Sequence, residues 1–259
     1  MLFKSPRGTK DVLPQESTIW HDVEEKARSV FSLYAYDEIR TPIIEESKLF
    51  SRSLGDLTDI VQKQMFLIKK ETDTFVLRPE ATASIVRAYV ENTLYNSSGV
   101  NKYFYIGPMF RAERPQKGRL RQFHHIGCEA IGSYSPYIDA EVVSLACGIL
   151  SALEIKGYEI ILNTLGCLND KKNFALNLRE KLLPHKKSFC EDCQTRMTKN
   201  VFRVLDCKNK QCKDIVLSLN LGSAHICDAC RQHFDGVKEG LERFGVSYKA
   251  DPLLVRGLD

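Results

Sequence analysis

Between Arg111 and Arg121 the chain carries five cations, Arg111, Arg114, Lys117, Arg119 and Arg121, against one acid, Glu113. An arginine presents a planar fork of donors that matches phosphate oxygens. The runs on either side, Tyr103 to Phe110 and Gln122 to Ile131, read as strands, so the cations sit on the long loop of a hairpin. Alternate residues of a strand share a face, which sends Arg111 and Glu113 out together from one strand end and Arg121 and Phe123 from the other. Two arginines for phosphate, a carboxylate for an exocyclic amine and a ring to stack on a purine would make a nucleoside-triphosphate cradle from side chains. A solvated charged loop is the other reading, and on spacing alone it is the one to favour, since that is what a charge run usually is.

The second reactive set is sulfur. Cys190-x2-Cys193, Cys207-x4-Cys212 and Cys227-x2-Cys230 crowd one region of a chain with nine cysteines. A Cys-x2-Cys pair aims both sulfurs at one tetrahedral centre, so Cys190, Cys193, Cys227 and Cys230 are expected to form a closed, structural zinc site. Cys207 and Cys212 could replace one of these pairs, and free thiols in an insertion are the alternative. Cys128, Cys147 and Cys167 lie among apolar residues and read as packing cysteines.

These groups need positioning. Ile19, Trp20, Val23, Ala27, Val30, Phe31 and Tyr34 fall on one face of a helix spanning Glu16 to Tyr34. Asp37 to Ile44 reads as extended, with Pro42 at a strand edge or end. Met65 to Ile68 and Thr74 to Leu77 read as two short strands. Helices are expected over Ala81 to Val90, Ile138 to Leu153 and about Cys230 to Phe244, and a strand over Tyr158 to Leu162. A strand pair is expected around Val246 to Lys249 and Leu253 to Val255. Hairpins with helices between them predict an α+β fold, a mainly antiparallel sheet flanked by helices. The polar, cysteine-dense stretch reads as a small insertion at 181–229, between a core segment at 1–180 and its return at 230–259.

The 259 residues suffice for one large domain with an insertion, and the net charge of +4 argues against a polybasic tail but leaves room for a local basic patch. No apolar run approaches the roughly 20 residues that span a bilayer, and the N-terminus lacks a secretion signal's apolar core, so a cytoplasmic protein with reduced cysteines is expected. No glycine-rich phosphate loop is present, so any nucleotide is held another way.

Lys102-Tyr103-Phe104-Tyr105-Ile106-Gly107-Pro108-Met109-Phe110-Arg111-Ala112-Glu113-Arg114 and its continuation to Arg119 resemble the second signature motif of class II aminoacyl-tRNA synthetases. Leu120-Arg121-Gln122-Phe123-His124-His125-Ile126-Gly127-Cys128-Glu129 narrows the resemblance to the histidyl-tRNA synthetase family. Arg7-Gly8-Thr9-Lys10-Asp11-Val12-Leu13-Pro14, Leu77-Arg78-Pro79-Glu80-Ala81-Thr82 and Leu254-Val255-Arg256-Gly257-Leu258-Asp259 agree in order. The region around Arg40 to Phe50 resembles the first class II motif, whose proline lies at a dimer interface.

The resemblance implies a class II catalytic core that uses ATP with Mg2+ to activate L-histidine and passes it to tRNA(His), working as a homodimer. It implies Arg111 on the α-phosphate, Glu113 on the adenine amine, Phe123 stacked on the ring and Arg121 on the outer phosphates. Glu80 and Thr82 would hold the α-ammonium and Glu129 the imidazole N–H. Arg256 would act as a second catalytic cation opposite Arg111, since converging positive charge offsets what develops on phosphorus; without the resemblance it reads as a surface arginine. Gln116 and Arg119 on the basic loop are the expected tRNA contacts. His125 stands where the family carries glutamine, and either hydrogen-bonds the substrate or simply lines the pocket. The chain stops inside the last of these motifs, so the third class II motif and the anticodon-binding domain are expected to lie outside it. A non-catalytic, synthetase-like regulatory subunit of histidine biosynthesis is the competing expectation, although such a protein should have lost Arg111, Glu113, Glu129 or Arg256.

Overall fold

A computed structural model describes residues 3–54, 60–219, 221–222 and 225–255. Two compact units divide the chain, one of residues 1–134 with 145–156, the other of 135–144 with 157–258.

In the first unit, helix α1 (Pro14–Leu33) opens with proline at its first turn, where a missing N–H costs nothing. Short strands β1 (Asp37–Glu38) and β2 (Ile44–Glu46) follow, then α2 (Ser47–Leu54). The hairpin β3 (Phe66–Lys70) and β4 (Asp73–Leu77) leads into α3 (Thr82–Glu91), and the long hairpin β5 (Asn101–Phe110) and β6 (Gln122–Ile131) completes the unit's strands. One sheet runs β1-β5-β6 and another β2-β4-β3. All their pairings are antiparallel except β1 with β5. The α+β arrangement predicted from the hairpin pattern is the one observed.

Ala27, Val30 and Phe31 of α1 pack against Tyr36, Phe104 and Leu145. Phe31 and Phe104 stack with ring centroids 4.3 Å apart and planes 9° from parallel. Ala27, Val30 and Phe31 of the expected apolar face thus back the long hairpin, whereas Ile19 of that face is exposed.

In the second unit, β7 (Ile161–Leu162) pairs in parallel with β8 (Lys249–Ala250), and helices α5 (Leu168–Leu182), α6 (Glu191–Lys199), α7 (Lys210–Ser218) and α8 (Asp228–Arg243) surround a separate core. Helix α4 (Pro136–Ala152) contributes its first half to this unit and its second half to the other. Phe174, Leu178 and Leu182 of α5 share their core with Phe189, Met197, Val201, Val204, Val216 and the sulfurs of Cys193, Cys207 and Cys212. Compact structure therefore begins before the change in composition near Lys181. The cysteine-dense stretch is helical, because most of its few apolar residues recur at helical spacing and turn inward, Leu183 and Leu217 being exposed exceptions.

The strand pair expected after α8 does not form. Only Lys249 and Ala250 are paired, and Leu254 instead returns its N–H to Asp251 O in a turn, with Pro252 lacking a donor at the position where a ladder would continue. The strand expected over Tyr158 to Leu162 shortens to its last two residues.

Phe104→Ala is expected to destabilise the first unit by about 3–5 kcal/mol, the usual cost of emptying a packed aromatic site. Urea denaturation read at the α1–hairpin core measures it, and a loss below ~1 kcal/mol would mean that the Phe31 stack does not bear on stability.

Candidate functional site

The long hairpin's register decides which side chains meet. Met109 faces Phe123, Gly107 faces His125, Tyr105 faces Gly127 and Tyr103 faces Glu129 across the two strands. The Arg111 N–H bonds Arg121 O at 2.8 Å, so the ladder extends one pair beyond the named strands. Arg111, Arg121, Phe123, His125 and Glu129 therefore lie on one face, in that order along it.

The cationic end is held in place by carbonyls. Arg111 Nε donates to Pro79 O at 2.9 Å, and its guanidinium lies 5.3 Å from the centre of the Phe123 ring. That contact also fixes the ring, since a cation over an aromatic face attracts it. Arg121 Nε donates to Glu113 O at 3.2 Å, and its backbone N–H reaches Gly8 O at 2.7 Å. Gly8 has φ +90°, and a Cβ there would sit 2.7 Å from Arg121 Cγ, so glycine is the residue that lets the N-terminal segment lie against the hairpin. The Glu113 carboxylate pairs with Arg119 at 3.3 Å. Gln116 and Arg119, the expected tRNA contacts, close a tight turn by exchanging backbone hydrogen bonds. They line a cleft of about 350 Å³ with Lys63, Gln64, Glu113 and Arg114.

The other end of the face is anionic. Both oxygens of Glu80 are engaged: Thr82 N–H donates to one at 2.7 Å and Ala83 N–H to the other at 2.9 Å. Glu80 thus caps α3, where a negative group is favoured by the helix dipole. The Thr82 hydroxyl donates to Glu129 Oε1 at 2.7 Å, which ties the helix start to β6. Burial pushes the Glu129 carboxyl up from its ordinary range, with the Thr82 hydrogen bond opposing and the Glu80 charge adding to the rise. The His125 ring stands edge-on to Phe123 at 5.5 Å.

Tyr105 and Arg78 belong here although no role was expected of either. Tyr105 shares the face of Arg111, and its phenol lies where a Cβ on residue 127 would be, which requires Gly127. Burial and the neighbouring Glu129 and Glu80 carboxylates hold that phenol protonated well above its usual range, so it is a donor at neutral pH. Counting in steps of two back from Arg111 would have found it. Arg78 is buried and donates to Pro108 O at 3.1 Å, Thr41 O at 2.9 Å and Thr41 Oγ1 at 3.0 Å, stapling β4 to β5 just before Glu80. Nothing in its sequence neighbours marks an arginine as internal. Arg256 lies outside the described residues.

The two Cys-x2-Cys pairs expected to share a metal stand in different groups. Cys190 and Cys193 join Cys207 and Cys212, whereas Cys227 and Cys230 join Cys167 and Asp170. The alternative partnership of Cys207 and Cys212 is the one their position favours, because α6 and α7 follow one another around a common core. Cys167 is exposed, not packed as expected. A carboxylate in place of the second sulfur of Cys167-x2-Asp170 hid its likeness to the cysteine pairs.

Thr82→Val removes the hydrogen bond that favours the Glu129 carboxylate and should raise that carboxyl's pKa further. A carboxyl raised on folding contributes stability below its unfolded pKa that is lost as pH rises through its folded pKa. The variant's destabilisation is therefore expected to be larger at neutral pH, about 1.5–3 kcal/mol, than at pH 4. Denaturation at the two pH values checks this, and an equal loss at both would contradict it.

Comparison with known proteins bears on the whole chain. A family profile described as Histidyl-tRNA synthetase matches residues 8–184. The histidine–tRNA ligase of Halothermothrix orenii is 46% identical over 260 residues, a match that covers 100% of this chain and 62% of that protein. That of Solibacter usitatus is 45% identical over 259 residues, covering 100% of this chain and 63% of the relative. The chain thus spans less than two thirds of the length of the curated relatives it matches. Apo S. aureus histidyl-tRNA synthetase superposes with a TM-score of 0.74 at 32% identity, over 99% of this chain and 59% of that one. A Bacillus halodurans protein described as an ATP phosphoribosyltransferase regulatory subunit/histidyl-tRNA synthetase has the same fold, with a TM-score of 0.69 at 21% identity over 98% of this chain and 69% of its own. On the profile match and the near-half identity along its full length, this chain belongs to the histidyl-tRNA synthetase family.

Proposed function

We propose that this chain is the part of a histidine–tRNA ligase that binds ATP and L-histidine, forms histidyl-adenylate and presents it to tRNA(His). The observation that carries the reading is the single hairpin face on which Arg111, Arg121, Phe123, His125 and Glu129 run from cationic to anionic. Such a gradient suits two ligands laid end to end, a polyphosphate over the arginines and an ammonium-bearing amino acid over the carboxylates.

In the reaction, a histidine carboxylate oxygen attacks the α-phosphorus of ATP, the new P–O bond forms as the bond to the β-phosphate oxygen breaks, and pyrophosphate leaves. Arg111, anchored through Nε to Pro79 O, offers its guanidinium charge to the α-phosphate, where negative charge grows at the transition state. Phe123 offers its ring to adenine, Glu113 its carboxylate to the exocyclic amine, and Arg121 its fork to the outer phosphates. Mg2+ arrives with ATP as part of the substrate and screens those phosphates. Glu80 and Thr82 take the α-ammonium, and Glu129 accepts the imidazole N–H, with His125 beside it. A hydroxyl at the tRNA 3′ end then attacks the activated carbonyl and AMP departs. Arg256 is proposed as a second cation on the α-phosphate, and Gln116 and Arg119 as contacts to tRNA phosphates.

In this reading residues 1–180 and 230–259 belong to the catalytic core and 181–229 to an insertion. Two copies associate through the Pro42 region, where Ile43 and Ile44 are exposed at 41% and 52%. No helix of the described residues is long and apolar enough to cross a membrane, and a cytoplasmic site of action accords with nine free cysteines.

Histidine-dependent ATP–pyrophosphate exchange tests the proposal, on this chain and on one extended beyond Asp259. Exchange in at least the extended chain is expected, falling about 10²–10³-fold in Arg111→Ala, the range for removing one preorganised transition-state donor. No exchange in either would favour the regulatory-subunit reading. Glu129→Gln should raise KM for histidine far more than KM for ATP, and an equal effect on both would remove Glu129 from imidazole recognition.

A further inference from the structure

Two clusters of metal-ligating groups lie in the second unit, and the aminoacylation reading uses neither. In the first, the Sγ atoms of Cys190, Cys193, Cys207 and Cys212 all lie within 4.8 Å of one another. The Cys190 and Cys207 sulfurs are 3.9 Å apart. A tetrahedral Zn–S distance of about 2.3 Å requires sulfurs about 3.8 Å apart, whereas a disulfide requires ~2.05 Å. Cys193 and Cys212 are 0% exposed and Cys207 5%, so three of the four thiols sit inside an apolar core. Thiols are poor hydrogen-bonding partners for one another; four thiolates around a divalent ion are a closed structural site.

The local backbone suits that charge. Cys190 is the N-cap of α6 and Cys193 its third residue, while Cys212 is the third residue of α7. Helix N-termini favour thiolates. The Cys190 N–H also points at Cys212 Sγ, 3.4 Å away, the kind of outer contact that orients a ligand. From Lys181 to Lys213 the chain has nine Lys and Arg against three acids, which offsets the two negative charges left on a zinc–tetrathiolate.

The second cluster repeats the construction. Cys167 is the N-cap of α5 and Asp170 its third residue; Cys227 is the N-cap of α8 and Cys230 its third residue. Their four ligand atoms are again within 4.8 Å of one another. Asp170 Oδ2 accepts the N–H groups of Cys167 and Cys227, each at 3.2 Å, which binds the two helix starts together and points the carboxylate at the three sulfurs. Unlike the first cluster it reaches solvent, since Cys167 and Cys227 are exposed.

We propose that this chain holds two structural zinc ions, a buried one on Cys190, Cys193, Cys207 and Cys212 and a more accessible one on Cys167, Asp170, Cys227 and Cys230. Each ion displaces the protons of its thiols to solvent and ties two helix starts together, those of the successive α6 and α7 in one case and those of α5 and the distant α8 in the other. The difference in exposure sets their exchange: the ion that shares the Asp170 carboxylate leaves to a chelator quickly, the ion enclosed by four thiolates slowly.

The experiment needs no aminoacylation activity. Zinc is quantified by mass spectrometry in the full chain purified without chelator, then its release to a colorimetric chelator is followed in time. Two equivalents per chain, leaving in a fast and a slow phase, are expected. Cys230→Ser should abolish the fast phase alone and Cys212→Ser the slow one. Fewer than two equivalents, or loss of the same ion in both variants, overturns the assignment; the latter would restore a single site shared by the Cys-x2-Cys pairs. Should Cys212→Ser not fold, thiol alkylation of the wild-type chain decides: Cys193, Cys207 and Cys212 should resist iodoacetamide until zinc is removed. Alkylation of all nine cysteines at the same rate before and after chelation would likewise overturn it.

Discussion

The register of one hairpin governs the first unit. Ten residue pairs from Asn101–Ile131 to Phe110–Gln122 fix the alternation of every side chain on two strands. A slip of one residue would turn Arg111, Phe123 and Glu129 into the α1 core and push Phe104 into solvent. The slip is opposed from both sides. Phe104 is committed to its stack on Phe31, and Gly127 is the residue that leaves room for Tyr105. Packing behind the sheet thus secures the register in front of it, and carbonyls of the adjoining loops at Gly8, Pro79 and Glu113 fix the arginines.

Around that hairpin, supporting contacts do double service. Glu80 both caps α3 and stands at the anionic end of the face. The Thr82 hydroxyl carries the helix start onto Glu129, while Arg78 and Arg111 hand their guanidinium donors to carbonyls of neighbouring segments. A carboxylate kept partly desolvated beside a helix start is costly in the free protein, and a ligand that donates a hydrogen bond to it recovers that cost. Affinity for such a ligand is then partly stored in the folded chain.

Much of this was legible in the sequence, and the limits of legibility are physical. The hairpin strands were found nearly to the residue because alternation over ten positions is a strong periodic signal. Arg111, Arg121 and Phe123 followed from the same alternation. Arg78 did not, since the partners that define its role are more than twenty residues away in sequence. The strand pair after α8 was misread because Leu253 to Val255 is apolar, and apolarity there serves packing: Leu253 and Val255 join the cysteine-containing core. The pairing of the cysteines was missed for a related reason. Spacing shows that Cys-x2-Cys can bite one ion, but which two bites meet depends on which helix starts converge, and a carboxylate can take a sulfur's place.

The hold of Gly8 on the hairpin bears on how the chain comes into being. Gly8 O accepts from the N–H groups of Arg121 and Gln122, at 2.7 and 3.3 Å. On a ribosome Gly8 is made more than a hundred residues before Arg121 and Gln122. At translation rates of about 5–20 residues per second, the N-terminal segment waits on the order of ten seconds before its binding place exists. The site's cationic end can thus close only once the hairpin exists, on a segment made more than a hundred residues earlier.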